Sequence, residues 1–143
     1  MRIFGHPLHP MLVHFPVAFW SLSAGCDLLG YFGVAEAWSA AVLLQALGLA
    51  TAIPAMASGI ADFGLLKDGA VATATRHMML MGLAWTTYAC AALAHLDGGT
   101  VVAEPAALAV VLSAAGFAIM SVGGWYGGQL VYRFGVGVHR EGQ

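Results

Sequence analysis

The sequence predicts an all-α fold: a four-transmembrane-helix bundle with both termini on the cytoplasmic side. Three observations predict it. Of 143 residues, 60% are hydrophobic and only 8% charged, whereas a soluble domain carries roughly 25% charged residues. Four apolar stretches each approach the ~20 residues that a helix needs to cross a ~30 Å hydrocarbon core. All five Lys and Arg residues fall on one side of that four-span layout, and the positive-inside rule makes that side cytoplasmic. The chain reads as a single integral membrane domain over residues 1–143, with lipid as its main partner.

The elements follow in order. The lead-in MRIFGHPLHP has one Arg and no small-residue cleavage site, so the apolar stretch after it reads as a retained span rather than a signal peptide. The spans are expected at about residues 11–31, 38–60, 77–96 and 105–126. Breaks are expected around Glu36, over 62–76 and over 97–104. Pro16 and Pro54 lie inside the first two spans, and each is expected to kink its helix. Trp38, Trp125, Tyr126 and Tyr132 sit near span ends, where amphipathic rings meet the interface. The Gly-rich tail GGQLVYRFGVGVHREGQ is expected to lie along the interface. Arg2, Lys67, Arg76, Arg133 and Arg140 mark the cytoplasmic side; Glu36, Asp97 and Glu104 mark the other. Abundant Ala and Gly allow close helix approach, and they also suit self-association into a homo-oligomer.

A faint internal repeat runs through the spans. An offset of 63 residues lays His14 on His77, Ala52 on Ala115, Ser58 on Ser121 and Gly64 on Gly127. It suggests two repeated helical hairpins about an axis along the membrane normal, with His14 and His77 as equivalent, facing positions.

The histidines carry the chemistry. His6, His9 and His14 precede or open the first span, and His77 opens the third, beside Asp62. His139 falls in the tail, where it reads as solvated; His95 reads as a residue closing a helix. A polar side chain at membrane depth is costly and usually marks a site, which singles out His14 and His77. Facing imidazoles can ligate haem iron from both sides. The expected cofactor is therefore haem b, on His14 and His77, with His9 as the substitute ligand should Pro16 turn His14 away. Asp62 would orient a ligand imidazole or contact the haem edge, and Arg76 would pair with a propionate. Gly82 on the third span, with Gly59 and Gly123 at the same face, could clear space for a flat macrocycle, and Gly124 is a further candidate. Asp27 is a second acid deeper in the membrane, either pairing with a freed backbone group or relaying protons.

Two other classes stay open. His6, His9, His14, His77 and Asp62 could hold a Zn, Cu or Fe ion for binding or transport, or the chain could be a cofactor-free structural or assembly subunit. Cys26 and Cys90 lie in apolar sequence and read as packing residues. No zinc-protease motif, P-loop or G-x-S-x-G is present. Five cations are too few for nucleic acid. An electron carrier is favoured over an enzyme.

HPLHPMLVHFPVAFW, Asp27, SGIADFG, His77 and GGWYGGQLVYRFGVGV together resemble the bacterial membrane family known as domain of unknown function 2231. The resemblance covers nearly the whole chain and matches the family pattern at His9, His14, Asp27, Asp62, His77 and the Gly124–Gly127 region. It implies four membrane helices in a bacterial inner membrane. It also implies redox company, since the domain occurs joined to Rieske iron–sulfur or cytochrome c modules. It assigns no role to any residue.

Overall fold

A computed structural model describes residues 2–3, 6–97, 99–101 and 106–138, with backbone alone at residues 2, 3, 6 and 101. The described chain is helical: a short α1 (Leu8–Leu12) leads into four long helices, α2 (His14–Tyr31), α3 (Ala35–Phe63), α4 (Asp68–Ala94) and α5 (Ala107–Tyr132). Two minimal antiparallel ladders flank them, Arg2–Ile3 with His6–Pro7 and Leu96–Asp97 with Thr100–Val101. Three segments are long and apolar enough to cross a membrane: Leu8–Tyr31, Ala35–Phe63 and Ala107–Tyr132.

Local chemistry explains the boundaries. Pro16 has no N–H to offer the Leu12 carbonyl, and the ladder is interrupted just there, at Val13. Backbone bonds from Val13 to His9 (3.1 Å) and from Val17 to Val13 (3.2 Å) bracket the interruption. Pro16 thus sits in the first turn of α2 rather than kinking the middle of a span. Pro54 lies inside α3, which runs without interruption from Ala35 to Phe63. A turn at Gly33, whose φ of 100° suits glycine, joins α2 to α3. The third helix begins at Asp68, well before the expected start at His77. DGAVATATR is too polar to count as a span but is Ala-rich, and Asp68 in the first turn complements the positive end of the helix dipole. The fourth helix continues past Tyr126 to Tyr132, taking in GGQLVY. Beyond it, residues 133–138 turn back, where a Cβ added to Gly137 would lie 3.9 Å from Pro7 Cβ. His139 and Arg140 lie outside the described residues.

The packing follows a single rule. Buried positions on α2 are Pro16, Trp20, Ser23, Asp27 and Gly30; on α5 they are Ala109, Ser113, Gly116, Met120 and Gly123. Steps of three and four residues trace the narrow seam of a helix bundle. Most buried apolar side chains are Ala, and the outward faces carry the large ones, including Leu22, Leu43, Ile60, Leu108 and Val111. That is the inverse of a soluble bundle and the expected pattern for helices glued by close contact in lipid. Glycines make room where it is needed. A side chain on Gly48 would collide with the Trp20 indole, and a Cβ on Gly116 would lie 2.9 Å from the Tyr88 ring. Trp20 and Tyr88 stack at the centre, with ring centroids 4.9 Å apart and planes 6° from parallel. The Tyr88 hydroxyl donates to the Trp20 carbonyl across a separation of 68 residues.

That separation recurs. His9 bonds a carbonyl 46 residues downstream, at Ala55, and His77 bonds one 46 residues downstream, at Gly123. Gly59 underlies the His9 ring as Gly127 underlies the His77 ring, and Gly48 receives Trp20 as Gly116 receives Tyr88. Each of these pairs is offset by the 68 residues that separate Trp20 from Tyr88. The offset of 63 residues is therefore replaced, and with it the pairing of His14 with His77: the counterpart of His77 is His9. The earlier offset matched small residues, which recur by chance in an Ala-rich chain. The offset seen here matches contacts.

Candidate functional site

His9 and His77 meet at one end of the bundle. Their ring centroids are 6.2 Å apart and their planes are nearly perpendicular, at 86°. Each ring is fastened by its Nδ1, His9 to the Ala55 carbonyl and His77 to the Gly123 carbonyl, both at 2.8 Å. A carbonyl only accepts, so Nδ1 carries the proton in both rings. In the neutral imidazole this leaves Nε2 with a bare lone pair, the tautomer that ligates metals. A carbonyl on the far nitrogen is also the usual outer support of a ligating histidine. Glycine makes the arrangement feasible. A Cβ at Gly59 would lie 2.9 Å from His9 Cε1, and one at Gly127 would lie 3.1 Å from His77 Cε1.

Both rings border a cavity of about 1590 Å³. Trp20, Met81 and Met120 contribute to its wall, along with Gly82, Gly124, Asp62 and Lys67. A Cβ at Gly82 or Gly124 would meet nothing within 4 Å, so both mark open space.

The expected site residues therefore divide. His9, His77, Asp62, Gly59 and Gly124 share the cavity wall. His14 also borders the cavity but is exposed on α2, with its Nδ1 3.4 Å from its own Met11 carbonyl. It is His9 that comes to His77. Arg76 is exposed, its guanidinium 5.9 Å from the centre of the Tyr126 ring. The His6 side chain lies outside the described residues. Among the described residues, no group of three or more His, Cys, Asp or Glu side chains is placed to hold a metal ion.

A second polar cluster occupies the opposite end of the same seam. Asp27 on α2 and His95, the residue capping α4, are both 0% exposed, with Asp27 Oδ1 2.8 Å from His95 Nε2. Gln45 on α3 donates to Asp27 Oδ2 at 2.8 Å. Trp38 lies against the His95 ring, with centroids 3.9 Å apart. His95 does close a helix, as expected, but it does so as a buried partner of an acid. Asp27 pairs with two side chains rather than with a backbone group freed by a kink. Gln45 was not singled out by the sequence, and Trp38, expected as an interfacial ring near a span end, is instead buried against His95. The signal that could have found the cluster is the 68-residue offset, which lays Asp27 on His95 in one step.

The sequence matches the family described as "Predicted membrane protein (DUF2231)" over residues 5–140, and the chain belongs to that family. No curated protein and no solved structure matches it.

Proposed function

We propose that this predicted membrane protein binds one haem between His9 and His77 and works as a small b-type electron carrier. The observation that carries the reading is the matched pair of imidazoles, each fastened through Nδ1 and 6.2 Å from the other. His9 and His77 would hold the group through Nε2, the nitrogen that each ring leaves free of its backbone anchor. The number of ligands favours haem over a bare ion. A porphyrin supplies four nitrogens and asks the protein for two, whereas a structural zinc site asks for four protein ligands. The open space beside Gly82 and Gly124 suits a flat macrocycle.

When bound, haem supplies reversible one-electron chemistry at its iron. The chain's own residues do the rest. Ala55 and Gly123 hold the ring orientation and strengthen Nε2 as a donor. Gly59 and Gly127 let the rings lie close against α3 and α5. Trp20 and Met120 wall the cavity with apolar surface, which limits water near the ligands. Lys67, at the cavity, is placed to attract a propionate. His14 is not required in this reading.

In the same reading α4 crosses the membrane with the other three helices. It packs along α5, and its Tyr88 and His95 reach Trp20 and Asp27 on α2. Both termini then face the cytoplasm of a bacterial inner membrane, with Lys67, Arg76 and Arg133 at the histidine end.

The test is an absorption spectrum of protein purified in mild detergent from haem-replete cells, oxidised and then reduced with dithionite. A Soret band with sharpened reduced α and β bands is expected, lost in His9→Ala and His77→Ala and retained in His14→Ala. Folded protein that shows no Soret band, and takes up no added haem, overturns the reading. Elemental analysis of that sample then tells a bound Zn, Cu or Fe ion from a cofactor-free subunit.

A further inference from the structure

The buried cluster at the far end of the seam is unequal in its two halves. The 68-residue offset that relates His9 to His77 and Trp20 to Tyr88 also relates Asp27 to His95, and Gln45 to Ser113. In the first half the pairing is direct, because the long Gln45 side chain reaches Asp27. In the second half the equivalent residue is Ser113, which is too short to do the same. Five polar atoms here are fully buried without a hydrogen-bond partner among the described residues: Ser113 Oγ, His95 Nδ1, Gln45 Oε1, and Asp27 Oδ1 and His95 Nε2, which face each other at 2.8 Å. Native proteins seldom leave such groups unsatisfied, and a buried water commonly supplies the missing bonds. By the 68-residue offset, Ser113 corresponds to Gln45 and His95 to Asp27.

We propose that a water bound between Ser113 and His95 Nδ1 completes an intramembrane proton site whose other members are His95 and Asp27. His95 is the bridge. Its Nε2 faces Asp27 Oδ1 at 2.8 Å, and its Nδ1 faces the water. The step balances as follows. A hydronium ion from the aqueous phase gives a proton to Nδ1 and becomes water. The Nε2 proton passes to Asp27 Oδ1. The product is a neutral carboxylic acid beside the other neutral imidazole tautomer, and the cluster has gained one positive charge. Gln45 holds Asp27 Oδ2 throughout, so the carboxyl group cannot swing away. Among the described residues, the other groups facing the cluster do not compete for the proton. Tyr88 on α4 has its hydroxyl on the Trp20 carbonyl, while α3 presents Trp38 and Gln45 and α5 presents Ser113, all uncharged.

The proposal does not depend on haem at His9 and His77. It is tested on full-length protein with ¹⁵N-labelled histidine in lipid nanodiscs, by nuclear magnetic resonance. Wild-type His95 is expected to show magnetisation transfer from water and to exchange its ring proton with D₂O within minutes, despite its complete burial. Ser113→Gln places an amide where the water sits and should slow that exchange at least tenfold. Ser113→Thr keeps the hydroxyl and should leave it within about twofold. A wild-type His95 ring that shows no water contact and does not exchange overturns the proposal, as does unchanged exchange in a folded Ser113→Gln protein.

Discussion

Replacing Asp27 with Ala gives the sharpest check on the buried cluster. The carboxylate accepts from Gln45 and faces His95, and all three side chains are 0% exposed. Removing it strands a donor on each of two fully buried partners. Breaking a buried pair this way costs about 3–5 kcal/mol in soluble proteins, while hydrogen bonds inside a membrane protein average only ~0.6 kcal/mol by double-mutant cycle. The complete burial of the carboxylate and both its partners places the expected loss nearer the larger figure, at about 3 kcal/mol. The triple change Asp27→Leu, Gln45→Leu and His95→Leu removes donors and acceptor together, and should come back to within about 1 kcal/mol of wild type. The assay is reversible unfolding in mixed micelles, followed by tryptophan fluorescence, since Trp38 lies on the His95 ring. A coupling energy between Asp27→Leu and His95→Leu below ~0.5 kcal/mol would mean the two residues act independently. That result would refute both the pairing of α2 with the end of α4 and the 68-residue equivalence built on it.

Two other outcomes are expected. Gly116→Ala should lower stability by about 1–3 kcal/mol, the usual cost of overpacking, because the new methyl would lie 2.9 Å from a Tyr88 ring held by its stack and its hydrogen bond. Gly82→Ala, with nothing within 4 Å, should change it by no more than ~0.5 kcal/mol; unfolding midpoints in the same micelles compare the two directly. In thiol labelling of intact protein, exposed Cys90 should react with a lipid-soluble maleimide several-fold faster than partly buried Cys26, and equal rates would misplace α2 or α4.

The sequence by itself determined that the chain is helical and lives in lipid. Those properties are carried by composition and by runs of apolar residues, and neither needs to know what a helix packs against. It also brought His9, His77 and Asp62 to one end of the bundle, because residues near the ends of consecutive spans must share a membrane face. Helix ends were harder to read. The polar turns Asp68–Arg76 are helical through propensity and a favourable dipole contact, which an apolarity criterion does not register. Only the tertiary structure decided which histidine meets His77. His9 and His14 lie five residues apart and therefore on different faces of the chain entering α2, and the close approach permitted by Gly59 selects His9. Only the tertiary structure, likewise, joined Asp27, Gln45, Trp38 and His95, four residues from three helices with no local motif in common. The physical reason is the same in both cases. Side-chain pairing across a bundle depends on the register between helices, and register is set by where glycine lets two backbones approach, a property of the pair that neither helix carries alone.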